Sequence, residues 1–282
     1  MCLLVLAWAV HPRYRLVVAA NRDEYHERPA APLERWPESP HILAGRDLRA
    51  AGTWLGLDAA RRFGVVTNFR ELQRPRPAAP SRGGLIPQYL GGTAGPRAFF
   101  ARLEGAAEEY SGFNLLLADG GSLWYGSNRV TPLARALPPG VYGLSNELLD
   151  TPWPKLVRVK ARFREWLAQA DGTAAGLFAL LDDRTQSPET DGGAPTGGLP
   201  REGRDAHSSR SPSPAEHSVA GLAQWERVLS APFVLHPAYG TRCSTVVLAE
   251  PDGALLIAER RFDSAGESSG AREFRLNAGE WP

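Results

Sequence analysis

The residue with the most chemical potential is Cys2, directly behind Met1. Removing the initiator methionine, which a small second side chain permits, leaves a thiol beside a free α-amino group. That amine has a reference pKa of about 7.7–8.0 and the thiol about 8.5. The amine can therefore take the thiol proton near neutrality and serve as general base for its own side chain. Cys2 also fits a plainer role, as a small hydrophobe opening a core strand.

Four polar stretches are candidates to surround the thiol. The first, Asn21-Arg22-Asp23-Glu24, follows the apolar run 14–20. If runs 2–9 and 14–20 form a hairpin turning near 10–13, Cys2 falls close to residues 21–23. Asp23 is then placed to hold a protonated α-amine by a charge-assisted hydrogen bond. Arg22 or Asn21 is placed to lower the thiol pKa or to orient a substrate carbonyl. A solvated polar turn after a strand fits the same four residues. The other stretches are Val65-Val66-Thr67-Asn68, Tyr142-Gly143-Leu144-Ser145-Asn146 and Tyr239-Gly240-Thr241-Arg242. An amide nitrogen of Asn68 or Asn146 can donate to a developing oxyanion, a contact worth ~3 kcal/mol. Arg242 can bind an anionic part of a ligand. Asparagines at strand ends are also turn formers, so these residues gain function only by converging on Cys2.

The elements that must bring them together are mostly strands. Besides the first hairpin, runs 53–57 and 63–67, 113–118 and 122–126, and 243–249, 254–259 and 272–276 read as strands. Asp119-Gly120 and Asp252-Gly253 mark hairpin turns. Residues 28–52 carry four prolines and read as an ordered loop. Helices are expected at 82–90, 96–109 and 153–170, and order resumes after a gap at Ala223–Leu229. In the third helix Leu156, Val159, Phe163, Trp166 and Leu167 share one face. Arg158, Lys160, Arg162 and Arg164 lie off it, as a solvated surface or an anion-binding strip. In 184–217, 15 of 34 residues are Gly, Pro or Ser. Such a stretch cannot bury enough apolar area to offset its ordering entropy, so it reads as a disordered insertion in a single domain spanning 1–282. Hairpin connections without regular βαβ alternation predict an α+β fold of two mainly antiparallel sheets covered by helices.

Composition narrows the function classes. Against 32 Lys+Arg stand 31 Asp+Glu, a net charge of +1 over 282 residues, which disfavours a nucleic-acid-wrapping surface. Cys2 and Cys243 make no disulfide scaffold, and the six scattered His show no metal-ligand spacing. No nucleotide-cradling glycine loop occurs. The apolar start ends at His11-Pro12, short of the about 20 residues a membrane helix needs, and it lacks the basic flank of a signal peptide. A soluble cytoplasmic protein without stable membrane insertion is expected.

Asn21-Arg22-Asp23-Glu24 behind Met1-Cys2 resembles the NRDE family, also known as the transport and Golgi organisation protein 2 family. The likeness continues through Gly52-Thr53-Trp54-Leu55-Gly56, Thr67-Asn68, Gly112-Phe113-Asn114-Leu115-Leu116, Tyr142–Asn146 and Tyr239–Arg242. That family in turn resembles N-terminal nucleophile hydrolases of the choloylglycine hydrolase type. This implies an αββα sandwich with Cys2 as nucleophile of a cysteine amidohydrolase, and Asn21 and Asp23 as the polar pair after the second strand. It also implies Asn68 and Asn146 as oxyanion and substrate-orienting residues, and Arg242 as the late arginine. The hydrolase pattern places an Arg directly before that first Asn, where this chain has Ala20. Either Arg22 replaces it from the opposite side of the strand, or hydrolase activity is lost. The usual Pro-Asp-rich loop after 181 is replaced by the insertion. The resemblance also implies lipid homeostasis and haem trafficking. The alternative function is therefore a non-catalytic carrier of haem or another amphipathic ligand, with Arg22 and Arg242 facing the propionates and no cofactor required. Scaffolding is a third reading.

Overall fold

The first two apolar runs pair as expected. β1 (Cys2–Trp8) and β2 (Leu16–Tyr25) form an antiparallel hairpin in which Cys2 faces Arg22 and Trp8 faces Leu16. The computed structural model describes residues 2–70, 79–169, 173–187 and 219–282, and most of the expected insertion 184–217 lies outside them. The chain then lays down a seven-stranded meander: β3 (Ala30–Trp36), β4 (Ser39–Asp47), β5 (Leu55–Asp58), β6 (Phe63–Asn68), β7 (Phe113–Ala118), β8 (Leu123–Ser127) and β9 (Ala134–Leu137). It returns to the first sheet through β10 (Gly140–Leu144), which adds to the free edge of β1. Three last strands, β11 (Tyr239–Ala249), β12 (Leu255–Phe262) and β13 (Ser268–Leu276), complete the six-stranded order β10-β1-β2-β11-β12-β13. Every pairing is antiparallel.

Strand alternation sorts the side chains into layers. Leu4, Leu6, Trp8, Val18 and Ala20 face the other sheet and pack on its Leu43, Leu57, Val65 and Leu116. Leu3, Val5, Val17 and Ala19 point the other way, beneath α3 (Pro154–Leu167) and α4 (Ala174–Leu181). The far face of the second sheet is covered by α1 (Leu85–Leu90) and α2 (Pro96–Leu103), which bring Ile86, Tyr89, Phe99 and Phe100 onto Val66, Leu115 and Leu117. The result is helix, sheet, sheet, helix: the expected four-layer α+β sandwich. A fifth helix, α5 (Val219–Leu229), leads into β11. No helix among the described residues is long and apolar enough to cross a membrane.

Several expectations need correction. Residues 28–52 are not a loop but contain β3 and β4. β3 is the edge strand of its sheet, and its pairing with β4 shifts register between Ala31 and Glu34 and again at Trp36. Edges and bulges are where a sheet tolerates proline. The 96–109 helix tightens to a 3₁₀ turn at Glu104–Glu109. β2 does not end at Ala20: Asn21-Arg22-Asp23-Glu24 continues the strand, and all four residues are buried. α4 was not anticipated, because Ala174–Leu181 is apolar on every side and offers no helical periodicity.

One glycine tests the packing of the β4–β5 connection against the turn at Arg82–Gly84. A Cβ on Gly52 would lie 2.4 Å from the backbone carbon and oxygen of Gly83, which no rotamer can relieve. Gly52→Ala is expected to cost about 1–3 kcal/mol in chemical denaturation. Gly105→Ala, with nothing within 4 Å of its Cβ position, serves as the neutral comparison.

Candidate functional site

The site forms where β1 begins. The β1–β10 register pairs Leu4 with Leu144, and two further steps bring Asn146 level with Cys2. The backbone nitrogen of Cys2 donates to Asn146 Oδ1 at 3.2 Å, and Ser145 Oγ donates to the Cys2 carbonyl at 3.0 Å. Asn146 is itself clamped to the other sheet. Its Nδ2 donates to the Asn68 carbonyl at 2.9 Å, and its carbonyl accepts from Arg70 N at 2.7 Å. Thr67 Oγ1 donates to the Ser145 carbonyl at 3.0 Å. Asn114 fixes the following turn by donating to the Glu147 carbonyl at 2.9 Å. Cys2, Asn146 and Asn68 thus meet at one end of the sandwich. Asn68 contributes its backbone oxygen, and its side-chain amide has no hydrogen-bond partner among the described residues.

Alternation in β2 splits the polar tetrad between two faces. Arg22 lies on the inner face with Cys2, its guanidinium 4.4 Å from the Trp54 ring centroid. Cys2, Ala20, Arg22, Trp54, Thr67 and Thr245 line a cleft between the sheets. Ala20 and Arg22, two residues apart, share that face, which corrects the expectation that Arg22 stands on the opposite side of the strand. Asn21 and Asp23 point outward, beneath the helices. The Asn21 amide is fully engaged: Nδ2 donates to the Leu181 and Pro232 carbonyls (2.8 and 3.0 Å), and Oδ1 accepts from Ser244 at 2.6 Å. Asp23 Oδ1 accepts from Thr241 Oγ1 at 2.7 Å. Asp23 follows Arg22, the register partner of Cys2, and so lies at the end of β1 where a freed amine would emerge.

Arg242 sits in the bulge between Thr241 and Cys243. Its Nη1 donates to the carbonyls of Tyr25, His26 and Arg28 at 2.8–3.1 Å, which caps the end of β2. Cys243 is buried, and desolvation with the nearby Glu259 carboxylate pushes its thiol well above the usual range. Among the described residues no group of three or more His, Cys, Asp or Glu could hold a metal ion.

The family model for transport and Golgi organisation 2 matches residues 1–264. The chain belongs to this family. It is 31% identical to the transport and Golgi organization protein 2 homolog of Bos taurus, over 99% of this chain and 100% of that protein. It is likewise 31% identical to the Homo sapiens homolog, over 92% of each. Among solved structures, a Caenorhabditis elegans N-acylethanolamine-hydrolyzing acid amidase ortholog aligns over 89% of this chain and 93% of its own, at 12% identity and a TM-score of 0.39.

For this transport and Golgi organisation 2 chain, sequence reasoning missed Lys155. It lies in the first turn of α3, is 4% exposed, and donates from Nζ to the Leu229 carbonyl at 2.9 Å. Burial lowers its pKa, opposed by the charges of Asp23 and Cys2; burial raises that of Asp23, opposed in part by Lys155 and the Thr241 hydrogen bond. A second cation missed, Arg70, pairs with Glu226 of α5, with Nη1–Oε2 at 3.1 Å. A signal for Lys155 was present: it and Lys160 are the sole lysines among 32 Lys+Arg, so an arginine-using chain departs from habit at this position.

The two-lysine composition makes the next prediction direct. In protein labelled at the lysine ε-carbon, one of two NMR signals is expected to titrate below the ordinary lysine value of about 10.4 and to vanish in Lys155→Met. The folded state then releases this proton at lower pH than the unfolded state. Stability relative to Lys155→Met should therefore rise with pH between the lowered pKa and the ordinary one. A flat difference across pH 8–10 would contradict the buried, charge-perturbed lysine.

Proposed function

We propose that this protein is an N-terminal cysteine amidohydrolase, with Cys2 as nucleophile once Met1 is removed. The observation that carries the reading is the 3.2 Å hydrogen bond from the Cys2 nitrogen to Asn146 Oδ1, beside a cleft that Cys2 lines. An acceptor already aimed at that nitrogen orients the freed amine without rearrangement.

The chemistry runs in two halves. The α-amine accepts the Cys2 thiol proton while sulfur attacks the amide carbonyl, and the Asn68 amide, without a hydrogen-bond partner among the described residues, is assigned as donor to the oxyanion. The amine returns the proton to the departing nitrogen, the C–N bond breaks, and a thioester remains. Water, deprotonated by the same amine, attacks the thioester; the acid leaves and the thiol is restored. Asp23, on the outer face, supplies the negative charge that favours a protonated amine in passing, and Lys155 beneath it limits that preference. The other reading, carriage of haem or an amphipathic ligand in this cleft, has less support. It rests on the cleft alone, about 290 Å³ counting its open mouth, and gives no role to the hydrogen bond at the Cys2 nitrogen.

Intact-mass measurement is expected to find Met1 absent. Brief iodoacetamide treatment of native protein should add one adduct, on Cys2, sparing the buried Cys243. Against a panel of N-acyl amides, Cys2→Ala should abolish turnover and Asn146→Ala should lower kcat/KM about 100-fold, as loss of one orienting donor or acceptor does. Retention of Met1 in fully active protein would exclude the mechanism.

A further inference from the structure

Two open sheets have four edges, and three of these are closed or short. On the outer edge of β10, Gly143 N donates to Asp150 Oδ1 at 2.7 Å and the Gly143 carbonyl accepts from Asp150 N at 2.8 Å. Along β3, side chains of β12 take up the backbone: Leu33 N donates to Glu259 Oε1 at 2.9 Å, and the Ala30 carbonyl accepts from Arg261 Nη2 at 3.1 Å. β9 is only four residues long. β13 is different. It runs nine residues and ends the strand order of its sheet. Ser268 to Glu273 are all exposed, and no β13 residue joins the layer beneath α3 and α4.

The phase of the ladder fixes which β13 groups face outward. Glu250 N donates to the Ala254 carbonyl at 2.8 Å. In β12 the backbones of Leu256, Ala258 and Arg260 therefore turn to β11, and those of Leu255, Ile257 and Glu259 turn to β13. Their partners Leu276, Phe274 and Arg272 are thereby engaged. Ala271, Glu273 and Arg275 then present N–H and C=O to the open side. The Ala271 carbonyl meets the Arg272 side chain at 3.4 Å, and the backbone groups of Glu273 and Arg275 meet no other element among the described residues. An edge with such unused groups accepts a further strand.

We propose that β13 pairs antiparallel with β13 of a second copy of this chain across a twofold axis, joining two six-stranded sheets into one. The residues of β13 select the register. With Phe274 on the axis, Glu273 of each chain faces Arg275 of the other. Phe274, half-buried against the inter-sheet core, then faces its own copy in a non-hydrogen-bonded pair, where side chains approach most closely. An axis at Arg272, Glu273 or Arg275 instead sets like charges against each other. In the favoured register the Glu273–Arg275 pairs are the hydrogen-bonded ones, with about four main-chain bonds across the seam. These two side chains are 47 and 71% exposed and pair within the chain at 2.6 Å. Exchanging that surface contact for two across the seam costs little. The axis stands normal to the sheet, so the two clefts lined by Cys2 open in opposite directions and neither is covered. The inference does not depend on the hydrolase reading.

The test is sedimentation velocity of the full chain between about 1 and 500 µM, the range in which a seam this small should associate. Wild-type protein is expected to pass from monomer to dimer as concentration rises. Arg275→Glu places Glu against Glu at both charged positions, and Glu273→Arg places Arg against Arg. Each variant alone should dimerise at least about 10-fold more weakly. Both substitutions lie on an exposed surface, so the monomer fold is retained. Mixed one to one, the two variants set unlike charges opposite each other at both positions, and the mixed dimer should form about as tightly as the wild-type dimer. A wild-type chain that stays monomeric throughout the range overturns the proposal. So does a dimer indifferent to both substitutions, or a mixture no more associated than its components.

Discussion

Four consecutive polar residues, Asn21 to Glu24, are buried at 1, 6, 2 and 6% exposure in the middle of a sheet. Burying an amide and three ionisable groups in a row is unfavourable unless each finds a partner. The architecture of this end of the sandwich answers that demand. Thr241 and Ser244 on β11 supply hydroxyls to Asp23 and Asn21, and the carbonyls of Leu181 and Pro232 accept from the Asn21 amide. α3 delivers Lys155 to the outer side, and β4 delivers Asp47 to the inner side. A strand repeat of two makes this division unavoidable, since neighbouring residues must face opposite ways.

The consequence is two electrostatic compartments separated by one sheet. Beneath the helices lie the acid Asp23 and the base Lys155, both buried. Between the sheets lie Arg22, Arg28, Glu24 and Asp47, with Cys243 and Glu259 beyond. Cys2 opens the strand beside both: its side chain turns to the inner compartment, and its nitrogen lies at the strand end near Asp23. The thiol and the nitrogen of Cys2 thus meet different surroundings, although only two bonds separate the nitrogen from the carbon that bears the sulfur. Asn146 links the sheets at this point, so the nitrogen's orientation depends on the packing of the whole sandwich rather than on a local turn.

Much of this was legible in residue patterns. The β1–β2 hairpin and the Asp-Gly turns follow from alternation and turn chemistry, which act locally. The convergence of Asn146 on Cys2 was legible only as a list of polar strand tips. The partner that achieves it is β10, whose Gly140-Val141-Tyr142-Gly143-Leu144 is too short and glycine-rich to announce a strand. The four prolines of 28–52 masked β3 and β4, because proline's objection to a sheet disappears at an edge and at a bulge. Lys155 was hidden by its setting: at the start of an amphipathic helix a lysine reads as solvated, and only the tertiary neighbours Asp23 and Leu229 explain why it is not. Arg22 was misplaced to the wrong side of the strand, an error that the two-residue repeat itself corrects.

That correction alters how the hydrolase resemblance bears on chemistry. An arginine two residues further along the same face is displaced by about 6.6–6.8 Å, toward the end of the strand where Cys2 begins. The positive charge therefore sits beside Cys2 instead of one repeat behind it, and Ala20 stands where the hydrolase pattern has a guanidinium. On the hydrolase reading proposed above, the position of the charge along β2 bears on which part of a bound molecule must be negative. Fold alone does not determine substrate; the register of one arginine against Cys2 is a difference that the fold leaves open.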